Sequence, residues 1–174
     1  MAKIILVLGG ARSGKSTYAL ELAKRYKKVG FIATCQGLDK EMERRILKHR
    51  SVRPKNWKTF EEPKELAVLL KKMGNGFDCI IIDCLTLLVS NLILSGCSEK
   101  EVLNKSTAIL RQLRNKKAKI LLVSNEVGLG IVPASKLGRD FRDIAGKVNQ
   151  IFANDADSVV FMVSGMPLEV KGKI

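Results

Sequence analysis

The sequence predicts a three-layer α/β fold, a mostly parallel sheet covered by helices on both faces. Two patterns carry that expectation. Short apolar runs rich in β-branched residues alternate with amphipathic stretches of helical period, and the first run leads through a glycine-rich turn directly into a helix. The composition agrees: 46% hydrophobic and 28% charged residues over 174 positions suit one globular domain that closes its core without disulfide or metal staples.

The elements follow in order. Ile4 to Leu8 is an unbroken apolar run, the mark of a strand buried on both faces. Across Ser16 to Lys27, Tyr18, Ala19, Leu22, Ala23 and Tyr26 recur at helical spacing. Val29 to Ala33 reads as a second strand. Asp39 to Arg50 reads as a helix that Asp39 caps, with Met42, Ile46 and the stem of Arg45 toward the body, and Pro54 ends that segment. Trp57 to Phe60 is a brief extended piece. Pro63 at a first helical position opens a helix carrying Leu66, Leu69 and Leu70, which Gly74-Asn75-Gly76 stops.

Phe77 to Ile82 is another buried strand, ending at Asp83, and Leu85 to Leu94 is a largely apolar helix interrupted by Thr86, Ser90 and Asn91. Ser98 caps the next helix, with Glu101 completing a capping box, and it runs to about Lys117. Lys119 to Val123 is strand-like, Ser135 to Asn154 helical, and Ser158 to Val163 and Leu168 to Val170 close the chain as strands. No repeat, low-complexity stretch or Pro/Ser-rich linker marks a boundary, so residues 1–174 read as one domain. Its least regular part, a helical insertion around 34–60, is where such folds often carry substrate-specific groups.

Lys and Arg number 31 against 17 Asp and Glu, a net charge of +14 that calls for an anionic partner. Nucleic acid and a multiply phosphorylated small ligand both fit, but aromatics for base stacking are only 5%. Cys35, Cys79, Cys84 and Cys97 have no C-x-x-C spacing and no histidine pairing for zinc, and read as reduced thiols, mostly in the core. No apolar run reaches the ~18 residues of a membrane span. Met1-Ala2-Lys3 followed by a short apolar run lacks the plan of a signal peptide, so the expected location is cytoplasmic.

Gly9-Gly10-Ala11-Arg12-Ser13-Gly14-Lys15-Ser16 satisfies G-x-x-x-x-G-K-[ST] between a predicted strand and a predicted helix. Gly9 and Gly14 permit backbone torsions and close approach that a Cβ would block, so successive N–H groups converge on phosphate oxygens. The helix N-terminus adds a favourable dipole. Lys15 reaches the β- and γ-phosphates, and the Ser16 hydroxyl is a ligand for Mg²⁺. Asp83 emerges at the carboxyl edge of a central strand. It can hold Mg²⁺ through water, or cap the helix at Leu85, or both. Asn125 and Glu126 reach the same edge, where ligands of open α/β sheets collect; Glu126 fits either a substrate or water contact or a structural turn before Gly128 and Gly130.

His49, the only histidine, ends a basic helix beside Lys48, Arg50 and Arg53. Such a side chain is ordinarily solvent-facing. The same cations would nonetheless favour neutral imidazole, as a nucleophile toward phosphorus requires, and would neutralise a triphosphate. The residues alone leave both readings open.

Eight motifs in series resemble the bifunctional adenosylcobinamide kinase / adenosylcobinamide-phosphate guanylyltransferase family of cobalamin biosynthesis. They are G-G-A-R-S-G-K-S from Gly9, I-A-T-x-Q from Ile32, D-x-E-M from Asp39, H-R-x-x-R-P from His49, W-x-T-x-E-E-P from Trp57, and N-E-V-G-x-G-I-V-P from Asn125. F-R-D-x-A-G-x-x-N-Q from Phe141 completes the series, with G-x-P-L-x-x-K-G from Gly165 closing the chain. The resemblance implies a P-loop NTPase fold with a RecA-like sheet and two reactions. A nucleoside triphosphate, ATP or GTP, phosphorylates the aminopropanol hydroxyl of adenosylcobinamide. A histidine, matched by His49, then takes GMP from GTP as a phosphoramidate and passes it to adenosylcobinamide phosphate, giving adenosylcobinamide-GDP.

By the same resemblance Thr34, Cys35, Gln36, Arg50, Ser51, Val52, Arg53, Pro54 and Glu61 join the phosphate loop and Asp83 as nucleotide contacts, Glu61 toward the guanine edge. Ser16 and Asp83 are the Mg²⁺ residues, the corrinoid and the nucleotide the partners, and a homotrimer the assembly. Some members carry two adjacent histidines where this chain has Lys48-His49, and some carry Glu in place of Asp83. Two other readings are a simple P-loop small-molecule kinase, which needs only the loop and Asp83, and a basic nucleotide-regulated module that binds nucleic acid.

Overall fold

The computed structural model describes residues 2–37 and 40–173, and within 40–51 it leaves out the side chains of Met42, Glu43, Arg45, Lys48 and His49. The expected cap at Asp39 and the inward Met42 and Arg45 therefore lie outside the described residues. The chain runs β1 (Lys3–Gly9), α1 (Lys15–Ala23), β2 (Val29–Ala33), α2 (Lys40–Ser51), β3 (Lys58–Glu61), α3 (Leu66–Met73), β4 (Cys79–Asp83), α4 (Leu85–Leu94), α5 (Glu99–Arg114), β5 (Lys119–Val123), α6 (Lys136–Asp155), β6 (Ser158–Val163) and β7 (Met166–Lys171).

Among the described residues seven strands form one sheet in the order β3-β2-β4-β5-β1-β6-β7. All neighbours pair parallel except the last, where β7 returns antiparallel along β6. Alternation along each strand divides the core. Ile4 and Leu6 face one layer with Leu66, Leu88, Ile109 and Phe152, whereas Ile5 and Val7 face the other with Leu22, Phe31 and Trp57. The strand β5 separates β1, which carries the phosphate loop, from β4, which ends at Asp83.

Several boundaries differ from expectation for local reasons. Helix α1 stops at Ala23, because the chain turns through residues 24–28 to enter β2, with the Tyr26 N–H bonded to Ala23 O at 3.0 Å. Pro63 does not open α3. The Glu62 carboxylate accepts the N–H groups of Lys64 and Glu65 at 3.0 and 2.8 Å, closing a turn that delays the helix to Leu66. Helix α5 keeps its capping box at Ser98 and Glu101 but ends at Arg114. Cys79 and Cys84 are buried, Cys35 and Cys97 half-buried, and no disulfide joins them. Among the described residues no helix is long and apolar enough to cross a membrane.

Candidate active site

The phosphate loop is built by backbone conformations that only certain residues tolerate. Gly14 sits at φ +94° and Gly9 at +148°, where an added Cβ would lie 2.7 Å from Met162 O. Gly165, in the β6–β7 turn, donates its N–H to Ser13 O at 3.0 Å, so the terminal hairpin supports the loop from outside. Helix α1 has Gly14 at its N-cap and no side-chain cap, leaving its first N–H groups to whatever the loop holds. The Lys15 ammonium, 7% exposed with the rest of its residue, folds back to Gly10 O and to Ser13 Oγ at 3.4 Å. Burial lowers its pKa from the ordinary lysine value, a pull that neighbouring Cys84 and the Asp83 carboxylate oppose. Ser16 is half-buried in the first turn, while Gly10, Ala11 and Arg12 are exposed.

Asp83 ends β4 opposite Ala33 on one side and Val123 on the other. It is not the cap of α4: Cys84 holds that position, and no side chain caps the helix. Thr34 fixes this corner. Its hydroxyl donates to Cys84 O at 2.7 Å and accepts from Cys84 N at 2.9 Å, and its N–H binds Asp83 O at 3.1 Å. Thr34 is fully buried, and Asn91 Nδ2 caps its carbonyl at 2.8 Å.

The segment after α2 reaches the same edge. The Arg53 guanidinium stacks 3.6 Å from the centre of the Phe31 ring. Burial lowers its pKa; the Asp83 and Glu61 carboxylates raise it and Arg50 lowers it further. Arg50 Nη1 is 4.0 Å from Glu61 Oε1. Lys15, Asp83, Arg53, Arg50 and Glu61, predicted from distant motifs, thus share one electrostatic neighbourhood. Cys35 Sγ and Gln36 O are 3.8 Å apart, both residues half-buried beside Thr34. Ser51 ends α2, Val52 is 59% exposed, and Pro54 O accepts the Trp57 N–H at 3.1 Å. His49 lies in the last turn of α2, and its side chain is outside the described residues.

Sequence reasoning missed a buried polar cluster under the β5 loop. Thr86 Oγ1 meets Ser124 Oγ at 3.0 Å and accepts from Asn125 N at 2.6 Å. Ser124 donates to Asn149 Oδ1 at 2.7 Å, and Asn149 Nδ2 donates to Asn125 O at 3.0 Å. The signal was present in Thr86, a buried polar residue in a largely apolar helix, which burial obliges to find partners. Glu126 N donates to Gly9 O at 3.0 Å, and its carboxylate accepts from Gly128 N at 2.8 Å, forming the structural turn.

A glycine-shaped phosphate loop at a helix N-terminus, with a lysine inside it and a carboxylate two strands away, defines a P-loop nucleotide-binding phosphotransferase. Solved structures share the fold. A KaiC-like protein from Pyrococcus horikoshii matches at TM-score 0.51 and 13% identity, over 91% of this chain and 70% of its own. The RadB recombinase matches at 0.53 and 15%, over 91% and 73%. Relatives in sequence are far nearer. The bifunctional adenosylcobalamin biosynthesis protein CobP of Pseudomonas aeruginosa is 44% identical over 170 residues, 97% of each chain. CobU of Escherichia coli is 41% identical over 180 residues, 97% of this chain and 99% of its own.

The family model for cobinamide kinase / cobinamide phosphate guanyltransferase matches residues 5–170, and the chain belongs to that family. It is a bifunctional kinase and guanylyltransferase of adenosylcobalamin biosynthesis.

Proposed function

We propose that one site serves both reactions and that GMP transfer passes through His49. The observation that supports this most is Arg53. Four residues beyond His49, it is stacked on Phe31 and electrostatically coupled to Asp83, which is coupled in turn to Lys15. His49, in the last turn of α2, is thus joined by a short connection to a residue that interacts with Asp83.

In the kinase step the loop N–H groups and Lys15 hold the β- and γ-phosphates of the triphosphate while the aminopropanol hydroxyl of adenosylcobinamide attacks the γ-phosphorus; the hydroxyl gives up its proton, the γ-phosphorus bond to the bridging oxygen breaks, and the nucleoside diphosphate leaves. In the transfer step an imidazole nitrogen of His49 attacks the α-phosphorus of GTP. A P–N bond forms, the P–O bond to pyrophosphate breaks, and the pyrophosphate leaves. An oxygen of adenosylcobinamide phosphate then displaces the imidazole, giving adenosylcobinamide-GDP and free His49. Arg50 and Arg53 stabilise charge on the phosphates, and Glu61 accepts from the guanine edge. Thr34 holds the Asp83–Cys84 corner, with Cys35, Gln36, Ser51, Val52 and Pro54 forming the adjacent wall.

Mg²⁺ fits the donor set. A Ser16 hydroxyl in the first turn of α1 and the Asp83 carboxylate coupled to the preceding residue, Lys15, are hard oxygen ligands. When bound, the ion would neutralise charge on the phosphates, the Ser16 oxygen holding it directly and Asp83 through water. We infer a cytoplasmic homotrimer of one domain, with 34–60 as its insertion. The exposed apolar side chains of Met166, Leu168 and Val170 on edge strand β7 support a contact between copies. Incubation with [α-³²P]GTP and Mg²⁺ tests the transfer step. A protein-bound label stable to base and released by acid is expected, and its absence would remove the proposal.

A further inference from the structure

One motif in the chain has no role in the site as described, N-E-V-G-x-G-I-V-P at Asn125 to Pro133. Topology gives it a particular position. It rises from β5, the strand between the phosphate-loop strand β1 and the Asp83 strand β4. Ligands of an open α/β sheet bind beyond the carboxyl ends of its strands, so this loop stands at the ligand-binding edge, beside Gly9 of the phosphate loop.

The loop is fastened at both ends and apolar between them. Glu126 N is bonded to Gly9 O at 3.0 Å, and Arg139 Nη1 to Ala134 O at 2.6 Å. Leu129 is 79% exposed, Ile131 96% and Val132 61%. An ordered, water-facing apolar rim at a catalytic edge marks a ligand surface. A second, independent observation lies on α6. Arg142 Nη1 is buried without a hydrogen-bond partner among the described residues. Arg142 stands two helical turns before Asn149, on the same helix face, and Asn149 is bonded to Ser124 and Asn125 at the end of β5. A buried guanidinium N–H with no acceptor points to a ligand that brings one.

We infer that the 126–135 loop and the first turns of α6 form the corrinoid subsite: Leu129, Ile131 and Val132 pack on the methyl-rich face of the macrocycle, and Arg142 donates to an oxygen of the same substrate. The subsite rests on the family's activity, which requires a cobinamide acceptor beside the nucleotide. Its chemistry suits a corrin, whose faces are apolar and whose rim carries carboxamide oxygens.

Equilibrium dialysis of the full-length protein against cobinamide, followed by the corrinoid's visible absorbance, tests it. Ile131→Glu is expected to weaken binding at least tenfold with an unchanged melting midpoint, because a carboxylate replaces an apolar contact. Val68→Glu, at another exposed apolar position, is expected to bind as the unmodified chain does. Should Ile131→Glu fail to fold, Ile131→Ala is expected to weaken binding several-fold. Arg142→Gln is expected to weaken it about tenfold, with Arg142→Lys recovering part of the loss.

Unaltered affinity in the Ile131 variant would overturn the inference, and if the oligomer also dissociated, the loop would be a contact between copies. No affinity in the unmodified chain would overturn it as well. GMP labelling needs no corrinoid, so failure of the His49 reading leaves this test standing.

Discussion

The guanidinium of Arg53 lies 3.6 Å from the centre of the Phe31 ring, joining the segment after α2 to the second strand of the sheet. Phe31 is a core residue of β2, 2% exposed, so this contact ties a charged segment to a rigid element. Planarity is essential to it, since a guanidinium stacks on a ring face and an ammonium does so less well. Arg53→Lys is therefore expected to slow GMP transfer about tenfold while affecting phosphorylation of cobinamide less. Parallel steady-state assays of the two reactions check this, and equal losses in both would contradict the tether.

Lys15 makes its side-chain contacts inside the loop, to Gly10 O and Ser13 Oγ. Lys15→Ala should leave the fold intact and remove the positive charge proposed to hold the β- and γ-phosphates. A loss of at least about a hundredfold in both activities is expected. Retained phosphorylation of cobinamide at near the original rate would refute the loop's assignment.

Thr34 closes a reciprocal pair of hydrogen bonds with the Cys84 peptide in a fully buried setting. Thr34→Val keeps the shape and leaves the buried Cys84 N–H without an acceptor, while Cys84 O retains the Leu88 N–H at 3.2 Å. A destabilisation of about 2–3 kcal/mol is expected in urea unfolding. A drop in phosphorylation rate should accompany it, because the same corner positions Asp83.

Asp157 links β1 to α5. Its Oδ2 accepts from Ile4 N at 2.7 Å and from Arg114 Nη1 at 2.9 Å. Partial burial alone would raise its pKa, but these bonds outweigh it and hold the value below that of an ordinary aspartate. A carboxylate whose folded pKa is depressed stabilises the fold above its unfolded value, near ~4, and loses that contribution as pH falls through the folded one. Unfolding followed from pH 6 to pH 2 should show a decline beginning below about pH 4. Asp157→Asn should lower stability by about 1 kcal/mol at neutral pH, discounted for exposure, and flatten the acid limb. An unchanged acid limb would show that other carboxylates govern it.

Much of this architecture was readable from the residues because the signals were local. Alternating apolar runs placed β4 and β5 to within a residue or two. The capping box at Ser98 and the loop glycines state their geometry through chemistry that neighbours cannot override. Pro63 misled because Glu62 supplies two acceptor bonds that delay the helix, a choice the proline cannot reveal. The residues alone allow Asp83 either to cap a helix or to bind metal, and the structure removes capping because Cys84 occupies that position. The Arg53–Phe31 stack and the Thr86–Ser124–Asn149 cluster join segments that are remote in the chain, so no local pattern announces them. Thr34 was legible as a member of a motif, yet its role as the brace of the Asp83 corner needed the fold.

The most direct measurement is mass spectrometry of peptides from the protein quenched during turnover with GTP and Mg²⁺ in base. A mass increase of one GMP on the peptide bearing His49, lost in acid and absent in His49→Ala, is the expected result. An adduct on any other residue, or continued GMP transfer by the His49→Ala protein, would contradict it.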